Sequence, residues 1–401
     1  MTPPSAETLD SLWARHHAEW REPAQIASHW EDAAATDPAL LRFKTKGGWW
    51  DILEQKKMTL LITREYEHLV MALTAAKGKP LVSFLRMPHP SGLVVDREKN
   101  VVHIASTRNP NQIFELSPAT GVMPRLDVKA EALPQRPLVP IRSRFFPGSL
   151  YMHDLALIGG QLHANAVGQN AVVRLGSEGC ERVWWPRCIE TKKGPIFGQN
   201  HLQLNSIAAG DDIAGSFFSA STDVVSSRRP GHRNFPVDRR GVIFSGRTRD
   251  VVARGLTRPH SARLHEGRVW VDNSGYGQLG FIEDGAFVST TPLPGWTRGL
   301  CFHGRTAFVG TSRVIPRFRQ YAPGLDVDKS ACGLHAVDTR TGEIQASLTW
   351  PGGNQIFAID WMPRKVSCGF PFLMHEGKGA AARIKKMFYA YEADPQVELE
   401  K

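Results

Sequence analysis

Four chemically active residues head the same local pattern: His153-Asp154-Leu155-Ala156-Leu157, Asn205-Ser206-Ile207-Ala208-Ala209, His260-Ser261-Ala262-Arg263-Leu264 and Arg298-Gly299-Leu300-Cys301-Phe302. Each run reaches a turn, at Gly159-Gly160, Asp211-Asp212, Glu266-Gly267 and His303-Gly304. Short β-like runs separated by such residues read as hairpins. A second hairpin type alternates with the first, as in Val172-Val173-Arg174-Leu175 before Glu178-Gly179 and Leu279-Gly280-Phe281-Ile282 before Asp284-Gly285. Two hairpins make a four-stranded antiparallel unit of about 40–50 residues, the period of a β-propeller blade.

The expected fold is therefore all-β. Complete blades are expected near residues 89–126, 151–185, 203–256, 259–291 and 296–350. Two remainders, three strand-like runs over 52–85 and one over 355–362, predict a sixth blade that clasps the ring shut. Such closure removes sheet edges that would otherwise pair with other chains. Six blades is the preferred count, with five and seven as alternatives. The chain divides into a helical extension at 1–50, the propeller at 51–363 and a tail at 364–401 packed on or beside it. The extension rests on the helical spacing of Leu9, Leu12, Trp13, His16 and Trp20 and on a second helix from Pro23 to Ala35.

A chain of 401 residues can bury a sizeable core. It contains no apolar run near the roughly 18 residues of a membrane span, and its first residues do not resemble a secretory signal. The five cysteines (Cys180, Cys188, Cys301, Cys332, Cys368) are scattered, without a C-x-x-C. They read as reduced thiols in a cytoplasmic protein. A net charge of +10 favours an anionic partner.

In a propeller the first strand of each blade lines the channel. Its leading end lies on the face that also carries the blade connections and the loops between second and third strands. His153, Asn205, His260 and Arg298 fall there, with Ser91 and Phe357 in matching slots and His89 and His201 just upstream. The long insertions 127–150, 186–202, 222–240 and 313–331 are expected on the same face, and most are rich in arginine. Loops over one mouth of a rigid scaffold are where binding is usually built. Neutral imidazoles suit iron, copper or zinc, so His89, His153, His201 and His260 are the expected ligands of a transition metal. Arg298 is the expected clamp for a carboxylate or phosphate, because its planar fork meets two oxygens at once. Arg228, Arg229, Arg233 and Gln355 are expected to help bind an anionic small-molecule or peptide substrate. Asn205 or water is expected to fill an open position and Asp154 to orient a neighbouring imidazole, so that Arg298, Asp154 and Asn205 form the expected catalytic set.

Gly275-Tyr276-Gly277-Gln278-Leu279-Gly280 matches a dinucleotide fingerprint, but no helix follows it, and that binding mode needs strand, turn and helix. No nucleophile elbow, H-E-x-x-H pair or Walker loop is present.

From about Met58 to Trp361 the chain resembles a bacterial family of uncharacterised β-propeller proteins. The likeness rests on His153-Asp154-Leu155-Ala156, His201-Leu202 with Asn205, Val252-Ala253-Arg254-Gly255-Leu256 leading into Pro259-His260-Ser261, Pro294-Gly295-Trp296-Thr297-Arg298-Gly299-Leu300 and Gln355-Ile356-Phe357-Ala358. That family implies a fold and no reaction. More distantly the architecture is similar to six-bladed gluconolactonases and strictosidine-synthase-like proteins. The lactonases hold a divalent cation with carboxylate and asparagine ligands where this chain carries histidines.

Three functions follow as expectations. The leading one is a metal-dependent enzyme, of oxidoreductase type, acting on a small or peptidic anion. The second is a binding module for an acidic peptide, protein or nucleic acid. The third is a metal-free lactonase or lyase with His153 as general base. No membrane is expected as a partner.

Overall fold

The computed structural model describes residues 37–107, 111–129, 133, 135–146, 148–177, 179–228, 230–232, 235–374, 386–388 and 390–393. The predicted helices within residues 1–36 lie outside this set. Among the described residues, six antiparallel sheets of four or five strands form the blades. Their innermost strands are Pro90–Asp96, Met152–Ile158, Leu204–Ala208, Pro259–His265, Trp296–His303 and Ala358–Pro363. Each packs on the next, and the last returns to the first. We number the blades one to six in that order.

Blade six is the predicted clasp. Ala358–Pro363 pairs with Met58–Arg64, Thr63 opposite Ala358 and Leu60 opposite Trp361. Leu69–Ala76 and Lys79–Arg86 follow outward, and Phe372–Leu373 adds a short edge. An early and a late segment of the chain thus meet within one sheet, and the ring has no open edge along its inner strands.

The core is divided among the blade interfaces, because successive side chains of a strand face opposite sides. Leu60 and Ile62 of blade six pack against Phe308, Leu334 and Leu348 of blade five. Leu61, between them, packs against Val102, Ile104 and Leu116 of blade one. Blades two and three meet through Val172, Trp184, Phe218 and Phe244. Both faces of each blade are covered, so Met58–Arg64 is buried at every position and shows no polar alternation.

One expectation on element boundaries is corrected, and several outer elements join the blades. Residues 138–146 are not a mouth insertion; they form the outer strand of blade one, paired with Asn111–Val122 from Asn111 opposite Phe146. Arg142 and Arg144 therefore point away from the mouth and hold Glu115 at 2.6 and 2.7 Å. Burial alone would raise the Glu115 carboxyl, but hydrogen bonds from His103 and Arg142 and the charge of Arg144 bring it down to about 2. The connection that precedes residues 138–146 leaves from Val122, at the end of Asn111–Val122 away from the mouth. Residues 44–46 are an added outer strand of blade five, Lys44 opposite Thr349. Trp49–Gln55 is a helix whose Trp49 packs edge-on against Phe308. In the tail, Tyr391–Ala393 pairs with the end of the long strand of blade one. Among the described residues no helix is long and apolar enough to cross a membrane, and all five cysteines are unpaired.

Candidate functional site

In five blades the inner strand slips register against its neighbour at its mouth end. The extra residues are Ser91-Gly92, His153-Asp154, Asn205, Ser261-Ala262 and Arg298-Gly299. A bulge bends the strand and re-aims its side chains, which is why such irregularities gather beside functional sites. The bulges correct one alignment. Ser261, not His260, occupies the slot of His153 and Arg298, so His260 enters the mouth one residue earlier on its strand.

A second irregularity lies immediately ahead of the inner strands. His89, Tyr151, Gln203 and Arg258 all adopt left-handed backbone conformations, with φ of 42°, 52°, 50° and 52°. A non-glycine residue held there costs about 1–3 kcal/mol. Three of these, Tyr151, Gln203 and Arg258, reach His153, Tyr321 and Ser221 at the mouth. Tyr151, Gln203 and Arg258 were missed by the sequence reading. The available signal was a bulky polar residue one position before each strand, as in Leu150-Tyr151-Met152 and Leu202-Gln203-Leu204.

These devices bring residues from most of the ring together. The rings of His153 and His260 lie 6.2 Å apart and nearly parallel. His153 also meets Phe357 at 5.4 Å and Tyr151 at 4.7 Å, both edge to face. His260 lies 6.3 Å from Trp296. Asn200 donates to Gln203 Oε1 at 2.8 Å, which turns Gln203 Nε2 toward His153 Nε2, 3.5 Å away. That orientation makes His153 Nε2 the acceptor. Burial, with the charges of Arg298, His153 and Arg258 behind it, holds His260 well below the usual imidazole range.

Arg298 is only 5% exposed. Its guanidinium carbon lies 3.4 Å from the centre of the Phe357 ring. Among the described residues it makes no hydrogen bond or ion pair. Burial lowers its pKa, and Glu65 is the chief opposing charge. The Glu65 carboxylate is itself engaged by the Thr107 hydroxyl. Arg258 lies over Tyr321 at 4.5 Å and donates to Ser221 at 3.1 Å. Asn205 donates to Ser221 at 3.2 Å and to the Pro259 carbonyl at 2.9 Å, leaving its Oδ1 without a partner among the described residues.

Two of the expected insertions roof this cluster. Phe235 and Val237 from one, with Val314, Ile315 and Tyr321 from the other, pack around Trp296. Below the imidazoles, Asp154 accepts from Arg263 at 2.7 and 3.0 Å and from the Ile207 N–H at 3.0 Å. This staple ties blades two, three and four, so Asp154 does not orient an imidazole. Beneath it a cavity of about 410 Å³ opens at the far end of the channel, between walls such as Leu93, Leu155, Ile207 and Ile359.

The expected metal ligands do not assemble. Among the described residues no three His, Cys, Asp or Glu side chains are grouped to hold a metal ion. His89 packs edge-on against His68, ring centres 4.3 Å apart. His201 lies in the connection into blade three, with Nδ1 3.4 Å from the Ser226 carbonyl. The remaining pair, His153 and His260, sits among buried arginines, whose charge opposes a second cation. The residues present therefore do not fit a transition metal. Of the expected substrate-binding residues, Arg298 and Gln355 are in the mouth and Arg228 is an exposed loop residue. Arg229 and Arg233 lie outside the described residues.

No curated protein matches the sequence. Among solved structures, a chain from a Nidogen/Laminin complex aligns with a TM-score of 0.50 and 10% identity over 76% of this chain and 98% of that one. A candidate gluconolactonase aligns at 0.37 and 14% identity over 67% and 89%. Virginiamycin B lyase from Staphylococcus aureus aligns at 0.37 and 13% over 77% and 99%. At such identities the likeness is one of fold. A family model matches residues 47–369, the whole ring from its first helix to the strand that closes it, and the chain accordingly belongs to the family described as a domain of unknown function, DUF4915.

Proposed function

We propose that this protein binds a small organic anion at the mouth of its propeller and moves protons on it with buried imidazoles. The observation that carries the reading is Arg298, a buried guanidinium with no hydrogen bond or ion pair among the described residues. A buried charge costs several kcal/mol unless an opposite charge meets it. Contact with Phe357 returns about 2 kcal/mol of that, and Glu65, the chief opposing charge, makes no ion pair with it. A carboxylate or phosphate on the fork would add hydrogen bonds worth about 1.5–3 kcal/mol each. Arg258 supplies a second cation at the same mouth.

His260 is suited to the role of base because burial and the neighbouring arginines keep it neutral. A proton taken from the substrate would give an imidazolium that Arg258 and Arg298 destabilise, so it would be returned within the same turnover. Imidazole and guanidinium groups support proton transfer of lyase or hydrolase type more directly than electron transfer. That chemistry is favoured here over the oxidoreductase expectation.

The test is ligand-observed NMR with pyruvate and inorganic phosphate, followed by deuterium uptake from D2O into the pyruvate methyl group. Wild type should bind saturably, Arg298→Met should not, and His260→Gln should bind but exchange at least about a hundredfold more slowly. Equal binding by Arg298→Met removes the anion site. Binding without exchange reduces the mouth to a binding module.

A further inference from the structure

Two further buried amides, at the entries to the inner strands of blades six and three, keep unpartnered atoms among the described residues. Gln355 is 2% exposed, and neither its Oε1 nor its Nε2 has a partner among the described residues. It stands two residues before Phe357, the ring on which Arg298 lies. Its place is held firmly, because Glu67 accepts the N–H groups of Asn354 and Gln355 at 2.5 and 3.2 Å and is paired with Arg64 at 3.3 Å. Asn205 stands across the ring in blade three, also 2% exposed, with Oδ1 unpartnered.

A buried amide without a partner is expensive, and native structures retain one only for a reason. Here the unsatisfied set comprises one cation, one amide donor and two amide acceptors. We infer that the ligand is a short acid bearing hydroxyl groups beside its carboxylate, the acid meeting Arg298 and the hydroxyls meeting Gln355 and Asn205. A hydroxyl both donates and accepts, which is the pattern Gln355 presents. A plain aliphatic or aromatic acid would satisfy Arg298 and leave both amides buried without partners.

This inference rests on the anion reading above, and the experiment separates the two. Affinities of threonate (trihydroxybutyrate) and butyrate, matched in carbon count, are measured by calorimetry on the full chain, wild type, Arg298→Met and Gln355→Leu. Wild type should prefer threonate by tenfold or more, about the cost of one unmet buried hydrogen bond. Gln355→Leu should cut that preference about tenfold, and its urea midpoint without ligand should equal or exceed that of wild type, because an unpartnered amide has become apolar. Arg298→Met should lose both acids. Equal affinity of wild type for the two acids, with both lost in Arg298→Met, overturns the hydroxy-acid inference and leaves the anion site standing. If neither acid binds, ordered water satisfies these groups and both readings fall.

Discussion

The sharpest departure from the sequence reading is Asp154, and replacing it by asparagine separates the two roles it could have. The carboxylate is 4% exposed. It accepts from Arg263 Nη1 and Nη2 at 2.7 and 3.0 Å, from the Ile207 N–H at 3.0 Å and from the Leu155 N–H at 3.1 Å. Asp154→Asn removes the charge and turns an amide NH2 toward one of those donors. Breaking a buried pair from one side costs about 3–5 kcal/mol, mostly because the partner is left uncompensated. Arg263 keeps bonds to the Ile207 and Ala262 carbonyls, and its side chain is 20% exposed. The lower end, about 3 kcal/mol, is therefore expected. The assay is equilibrium urea unfolding followed by tryptophan fluorescence, run as a double-mutant cycle with Arg263→Met. Each single variant should unfold at lower urea, and the double variant should recover part of the loss, because no orphaned charge remains. Anion binding at Arg298 should persist in Asp154→Asn and rise slightly, since a nearby negative charge is gone. An unchanged midpoint together with lost binding would falsify the staple and return Asp154 to the chemistry.

Gly310 faces the bulge that carries Arg298, and a Cβ there would lie 2.2 Å from the Arg298 carbonyl oxygen and 2.5 Å from the Ile356 side chain. Gly310→Ala should cost about 2–3 kcal/mol in urea unfolding and weaken anion binding, because the bulge cannot move without moving Arg298; a neutral effect on both would show that this backbone is not held as described. His335, held by Thr311 and Ser347, is lowered by burial from 6.5 to about 4. The folded protein binds that proton more weakly than the unfolded chain, so this contribution is complete above pH 6.5 and is lost as pH falls toward 4. It amounts to about 3 kcal/mol across that window. Urea midpoints measured between pH 4 and 7 should show the slope in wild type and a shallower one in His335→Gln; parallel curves would count against it.

The ring itself was legible from the chain. Hairpin turns at regular spacing, with three strands left over at one end and one at the other, leave a clasped toroid as the arrangement that pairs the inner edges, and local periodicity reports both. The positions of His153, Asn205 and Arg298 were legible for the same reason, because they lead apolar runs that must line the axis. What failed was whatever a single residue of register decides. A bulge moves His260 out of the slot of His153, and Asp154, adjacent to His153, turns to Arg263 two blades away. Period-two patterning carries no mark of where a strand gains an extra residue. Tyr151, Gln203 and Arg258 carry only a weak mark in sequence, a bulky polar residue ahead of each strand, since their importance lies in a backbone conformation that residue type does not announce. Charge was equally ambiguous: Arg142, Arg144 and Arg298 are alike in sequence, yet two satisfy Glu115 on an outer strand while the third is buried without an ion pair among the described residues. Local sequence determined that this chain closes into a ring and which end of each inner strand is chemically armed. Only the packed blades decided which charges are already neutralised by neighbours and which stay buried without an ion pair among the described residues, because that balance depends on contacts between segments far apart in the chain.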